Sequence, residues 1–169
     1  MHEMRRLFKQ QEPNRSTIQM NDLIVQVLKV VEPDLRDRNI VVSLNLSTEL
    51  PNTEADAIQI QQVLLNLVRN ASEAVLERAS GQKEIKIRTL FSDDEVTVEV
   101  EDSGFGIVTP ERIFEAFFTS KNEGLGVGLS ISRSIAEAHG GALVATNLED
   151  GGARFSLTLP RSLSPTEMV

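Results

Sequence analysis

A two-layer α/β sandwich, with a mixed and mostly antiparallel sheet of about five strands packed on three helices, is the fold class this sequence predicts. Three observations point to it. Some segments carry apolar residues every three to four positions and others alternate strictly, the periods of buried helices and half-buried strands. The two kinds of segment are interleaved along the chain. The length of 169 residues, 40% hydrophobic and 25% charged, supports one domain with a real core and is too short for two of ordinary size.

Met1, Met4, Leu7 and Phe8 stand at helical spacing beside Arg5, Arg6 and Lys9, then give way to Gln11-Glu12-Pro13-Asn14. This reads as a helical stub and linker over 1–15, or as a frayed terminus. Residues 16–19 predict a short strand, and Asn21 or Asp22 is placed to cap a helix through Leu23, Val27, Leu28, Val31 and Leu35. Pro33 should bend that helix or open a new turn of it. Ile40, Val42, Leu44 and Leu46 alternate as a strand, closed by a loop at Pro51.

A long helix follows over 56–79. Ile85 and Ile87, then Val96, Val98 and Val100, predict an antiparallel hairpin joined at Ser92-Asp93-Asp94. A glycine-bearing loop region leads to a helix over 128–139 that stops at Gly140-Gly141, where a left-handed residue is wanted. Two last strands, 142–148 and 153–159, flank Glu149-Asp150-Gly151-Gly152 and leave Phe155, Leu157 and Leu159 on one face. The domain therefore runs over 16–162, with a tail at 163–169.

Composition excludes several functions. Seventeen Lys and Arg against 25 Asp and Glu give a net charge of −8, unsuited to tracking nucleic acid phosphates or anionic lipid. No Trp or Tyr is present to stack on bases. No Cys and two His leave no thiolate metal site and no disulfide framework. Apolar runs of about six residues fall far short of the roughly 20 that a spanning helix needs. A reducing cytoplasm fits this composition.

The glycines are clustered. Gly104, Gly106, Gly124, Gly126 and Gly128 are half of the ten in the chain, and glycine is tolerated where backbone turns sharply or approaches a ligand. Asp102-Ser103-Gly104-Phe105-Gly106-Ile107 follows a strand, so the Asp102 carboxylate stands at the strand end, able to accept from an exocyclic amine. Gly124-Leu125-Gly126-Val127-Gly128 opens a helix, where free amides and the helix dipole suit phosphate oxygens. The segment lacks the Gly-Lys-Ser/Thr of a P-loop and does not follow a strand as a Rossmann fingerprint must. On the long helix, Asn66, Asn70 and Glu73 share a stripe. They either face solvent or offer oxygen ligands to a hard cation completed by phosphates.

Four boxes in order, Asn66-Leu-Val-Arg-Asn70-Ala-Ser-Glu73, Asp102-Ser-Gly104-Phe-Gly106-Ile107, Phe114-Glu-Ala-Phe-Phe118-Thr-Ser-Lys121 and Gly124-Leu-Gly126-Val-Gly128-Leu129, resemble the catalytic ATP-binding domain of bacterial sensor histidine kinases. The similarity covers about residues 16–161 and is greatest to the nitrogen- and oxygen-sensing type, with its short lid and Thr-x-Lys after the Phe box. The resemblance implies the Bergerat-type ATP-binding fold. It implies that Asp102 binds the adenine amine, that Gly104 and Gly106 let the chain pass the base, and that Ile107 lines the adjoining wall. Asn70 would coordinate Mg²⁺ on the phosphates, supported by Asn66. Lys121, on a lid spanning Thr119, Ser120 and the residues to Glu123, would reach the terminal phosphate. Gly124, Leu125, Gly126, Val127, Gly128 and Leu129 would hold the phosphate chain by their amides, and Phe114, Phe117 and Phe118 would anchor the lid.

Two departures from the family pattern bear on function. Glu73 stands where many members have a basic residue, so a second cation for the phosphates, beside Lys121, is missing there and Arg69 would supply it instead. No phosphoacceptor box precedes the domain: His2 lies in the stub, and His139 ends a helix, where capping or interaction with the dipole is its expected role. The chain therefore reads as a piece of a larger kinase, the stub being the end of a dimerisation hairpin. Its expected partners are a histidine-bearing dimerisation domain and, through the whole kinase, a response regulator. Neither nucleic acid nor membrane contact is expected. Relatives that hydrolyse ATP or phosphorylate serine usually carry Glu at the place of Asn66, which favours histidine transfer. An ATPase or serine kinase of the same fold is the competing enzyme reading, and a nucleotide-binding module without catalysis is the alternative from another class.

Overall fold

A computed structural model describes residues 12–116, 118, 127–163 and 167. The elements are β1 (Ser16–Ile18), α1 (Met20–Asp37), β2 (Val41–Asn45), β3 (Thr53–Ala55), α2 (Ala57–Glu77), β4 (Glu84–Phe91), β5 (Glu95–Asp102), α3 (Gly128–Ala138), β6 (Ala142–Asn147) and β7 (Ala153–Pro160). Five strands form one sheet in the order β2-β4-β5-β7-β6. Its pairings are antiparallel except for β2 with β4. That parallel pair needs a long crossover, which β3 and α2 provide. The predicted two-layer sandwich of three helices on a mixed five-stranded sheet is the observed one.

The core lies between the layers. Ile60, Val63, Leu64, Leu67, Ala71 and Val75 of α2 are buried, as are Ile85, Ile87, Val98, Val100, Phe155 and Leu157 of the sheet. The opposite face of the sheet is charged and pairs with itself: Arg88 is bonded to Glu99, and Arg154 Nε donates to Glu101 at 2.7 Å across neighbouring strands. This alternation of core and solvent faces is what the period-two pattern in β4, β5 and β7 encodes.

Three local expectations are corrected. Gln19, not Asn21 or Asp22, caps α1, its side chain accepting from Asn21 N. Asn21 lies inside the first turn, and its amide ties the helix to the sheet instead, donating to Ser47 O at 2.8 Å and accepting from Thr89 Oγ1 at 3.0 Å. Of the two outcomes expected at Pro33, the new turn does not occur, since α1 continues unbroken to Asp37; Pro33 is exposed, so water can reach the carbonyl it leaves unpaired. β3 was not expected, since three residues give no periodicity, and it pairs with β1 as a separate ribbon.

The helix ends are set by named residues. Asn39 at φ 57° turns the chain after α1, a left-handed conformation Asn adopts more readily than most. Asp56 caps α2, accepting from Ile58 N at 3.1 Å and Gln59 N at 3.2 Å. Gly140 at φ 73° follows α3, as its sequence position predicts. Among the described residues no helix is long and apolar enough to cross a membrane.

Candidate functional site

β5 ends on Asp102, whose carboxylate is buried, with 4% exposure. Gly104 N donates to Oδ1 at 2.9 Å. Burial pushes this carboxyl above the ordinary Asp value, against the opposing hydrogen bonds from the Gly104 and Ala153 amides. A buried acceptor with capacity remaining, at a sheet end, is suited to a neutral N–H donor.

The loop after Asp102 is held on three sides. Ser103 faces away from it: its hydroxyl donates to Gln82 O at 2.7 Å and accepts from Glu84 N, while Arg78 Nη1 donates to Ser103 O at 2.8 Å. Gly104 sits so close to α2 that a Cβ there would stand 2.8 Å from Ala74 O. Gly106 has φ 91°, and a Cβ would meet Asn147 Oδ1 at 2.7 Å. Asn147, at the end of β6, grips Ile107 as a strand would, accepting from its N–H at 2.7 Å and donating to its O at 3.1 Å. Sequence reasoning found the glycines but missed Asn147 and Arg78, because a strand-end Asn and a surface Arg carry no pattern of their own.

The second group is on α2. Asn66 and Asn70 are half-buried and one turn apart, while Arg69 and Glu73 are exposed. α3 starts at Gly128 directly against Asn66, since a Cβ on Gly128 would stand 2.6 Å from Asn66 Oδ1. Asn66 Nδ2 donates to Ser132 Oγ at 3.1 Å. Val127 precedes α3 with no side-chain cap bond, and Ser130 Oγ donates back to Val127 O at 2.8 Å. Leu129 is half-buried in that first turn.

Against β7 and α3, Phe114 packs edge-on to Phe155 with centroids 6.3 Å apart, and Arg133 lies over Phe114 at 5.2 Å. Arg112 lies over Phe118 at 4.6 Å. Thr119, Ser120, Lys121, Gly124, Leu125, Gly126 and Phe117 lie outside the described residues. An apolar groove of about 470 Å³ between α1 and β2, lined by Val25, Leu28, Leu35, Ile40, Val42 and Leu44, contains none of the predicted site residues.

His139 is 2% exposed. Its Nδ1 lies 2.7 Å from Ile135 O, and Nε2 accepts from Asp56 N at 3.0 Å. Nδ1 therefore carries the proton and both ring nitrogens are committed. The residue joins the end of α3 to the start of α2, which suits the structural role expected of it and leaves no nitrogen to accept a phosphoryl group.

Residues 55–163 match the family described as histidine kinase-, DNA gyrase B- and HSP90-like ATPase. The chain belongs to that family, in which ATP binding is the common property, and within it the chain is a histidine kinase catalytic domain. It is 46% identical to the sensor protein FixL of Bradyrhizobium diazoefficiens over 129 residues, 74% of this chain and 25% of that protein. It is 34% identical to the sensor histidine kinase ZraS of Escherichia coli strain K12 over 149 residues, 87% of this chain and 31% of that protein. The chain thus spans about a quarter to a third of these relatives. The catalytic domain of the histidine kinase ThkA superposes with a TM-score of 0.79 at 36% identity, over 89% of this chain and 99% of that one. ThkA in complex with the response regulator protein TrrA matches with a TM-score of 0.79 at 33% identity, over 95% of this chain and 46% of that one.

Proposed function

We propose that this chain binds Mg-ATP and passes its γ-phosphoryl group to a histidine on a separate dimerisation domain. The observation that carries this is the convergence of two glycine boxes on one helix: Gly104 lies against Ala74 of α2 and Gly128 against Asn66. Eight residues separate those contacts, about 12 Å along a helix, which leaves room for a nucleotide with its base at Asp102 and its phosphates at the start of α3. Full-length ShkA, a solved structure 27% identical to this chain, is in complex with AMPPNP, which supports the nucleotide assignment.

In this reading Asp102 accepts from the adenine amine, with Gly104, Gly106 and Ile107 shaping the wall. Asn70, a neutral oxygen donor, holds Mg²⁺ with Asn66 in support and Glu73 on the same stripe. No cluster of three carboxylate or imidazole ligands exists among the described residues, so phosphate oxygens and water would complete the shell, as is usual for this ion. When bound, Mg²⁺ would neutralise charge on the phosphates. The amides of Gly124 to Leu129, with Lys121, Arg69 and the lid residues Thr119 and Ser120 anchored at Phe118, would position the chain of phosphates.

The histidine lone pair then forms the N–P bond as the bond to the β-phosphate oxygen breaks, ADP departs with that electron pair, and the imidazole proton goes to solvent. Positioning and charge neutralisation suffice for such a transfer, and a neutral Asn66 where an activating base would stand fits a nucleophile that needs none. The whole kinase would pass the phosphoryl group to a response regulator, on the cytoplasmic side where ATP is available. The test is calorimetry with ATP, with and without Mg²⁺, followed by radiolabel transfer to a separate dimerisation hairpin. Transfer to the hairpin and negligible self-labelling are expected. Tight binding without transfer would leave a binding module, and steady hydrolysis by the isolated chain would favour an ATPase.

A further inference from the structure

Ser132 carries a hydroxyl on the inner side of α3, where Ile135 and Ala136 are also buried, and is itself 2% exposed. Gly128 and Ser132 are one turn apart and share a face. Both meet the same group: Asn66 Nδ2 donates to Ser132 Oγ at 3.1 Å, and the backbone at Gly128 approaches so closely that a Cβ would stand 2.6 Å from Asn66 Oδ1 and 3.2 Å from Nδ2. The carboxamide of Asn66 is therefore laid across the first turn of α3, its oxygen toward Gly128 and its nitrogen on Ser132.

We propose that Ser132 is a positioning residue for the phosphate site. Resting on the reading above, in which the first turn of α3 holds phosphates and Asn70 holds their cation, the role of Ser132 is to fix how far α3 starts from α2. Ser132 does not touch the nucleotide. It locks the Asn66 amide in one orientation, and the locked amide sets the place of the Gly128 and Leu129 N–H groups relative to Asn70, one turn along α2. Without the hydroxyl, the Asn66 nitrogen loses its partner in a half-buried position, a cost that amide rotation toward water relieves. Rotation removes the wedge against which Gly128 rests, and the first turn of α3 loses its fixed distance. Adenine recognition at Asp102 is built on the end of β5, with its loop braced by the other end of α2 and by Asn147 of β6, so it should not feel the change.

The test compares Ser132→Ala with the parent chain for Mg-ATP by calorimetry and for adenosine by amide chemical-shift titration. The expected result is about tenfold weaker Mg-ATP binding, adenosine affinity within about twofold of the parent, and a shifted side-chain NH₂ resonance of Asn66. A double-mutant cycle should show that Ser132→Ala adds little once Asn66 is already replaced by Ala. Equal losses for Mg-ATP and adenosine would mean a merely structural residue and would overturn the proposal, as would unchanged binding of both. If the parent chain itself bound Mg-ATP no better than adenosine, the phosphate reading of α3 would fail, and this role with it.

Discussion

Asp102 and Asp56 are both partly shielded carboxylates, and their surroundings drive them in opposite directions. At Asp102 burial outweighs two backbone donors and raises the pKa from 3.8. A group raised on folding adds stability below its unfolded pKa and loses it as pH climbs through the folded value. At Asp56 burial also opposes ionisation, but the amides of Asn14, Gln59 and Ile58, with His139 nearby, outweigh it and lower the pKa. Its contribution is present above 3.8 and is lost as pH falls through the folded value. Asp102→Asn should therefore flatten the stability curve just above pH 4, read by urea unfolding across that range, and weaken Mg-ATP binding about tenfold or more, the worth of a hydrogen bond to a charged acceptor. Gly128→Ala sets two effects against each other: helix propensity gains up to about 1 kcal/mol, whereas forcing a methyl into a filled space costs about 1–3 kcal/mol. Making room means moving the Asn66 amide, whose Oδ1 would stand 2.6 Å away, off its bond to Ser132 Oγ, so the loss should win and thermal unfolding is expected to shift downward. Both boxes that hold these residues could be read from sequence, because Asp-x-Gly-x-Gly after a strand and glycines before a helix each combine a chemical need with a backbone need. Ser132 and Asn147 could not, since each acts through a single contact that only folding creates.

Elements with many turns or a full alternation were readable: α2, α3 and the β4–β5 hairpin appear where their periods place them. β2 shows the limit of that reading. Ile40, Val42, Leu44 and Leu46 alternate as a strand does, yet Leu44 is 46% exposed, because β2 is the edge strand and its inner residues line the groove beside α1. Periodicity reports which face is apolar and says nothing about how fully a neighbour covers it. The cap of α1 was misread for a related reason, since Gln is not a preferred cap and its role here depends on Leu50 O and Asn52 Oδ1 receiving its amide. His139→Ala should test how much the junction of α2 and α3 contributes. It removes two hydrogen bonds and a buried ring, so a loss of about 2–4 kcal/mol in urea unfolding is expected, with no change in the self-labelling background.

For the whole molecule, the net charge of −8 says little about the candidate site. The four charges on the outer sheet, Arg88, Glu99, Arg154 and Glu101, pair with one another and add nothing to it, while phosphate contacts made by amides leave no trace in a charge count. The sheet order was equally hidden, because the last strand in sequence, β7, is inserted between β5 and β6, a choice made by packing and not by pattern. Leu157 is fully buried at that position, opposite Val98 on one side and Leu143 on the other. Leu157→Ala should cost about 2–5 kcal/mol, a large part of the 5–15 kcal/mol typical of a domain, and leave nucleotide affinity unchanged wherever calorimetry finds the chain still folded.

Asn14 N donates to Asp56 Oδ2 at 2.9 Å and Arg15 Nη2 to Ala138 O at 2.7 Å, so two adjacent residues hold the start of α2 and the end of α3 together. α3 runs 11 residues from that junction to Gly128, whose backbone lies against Asn66, so the segment ahead of β1 is joined through a single helix to the proposed phosphate site.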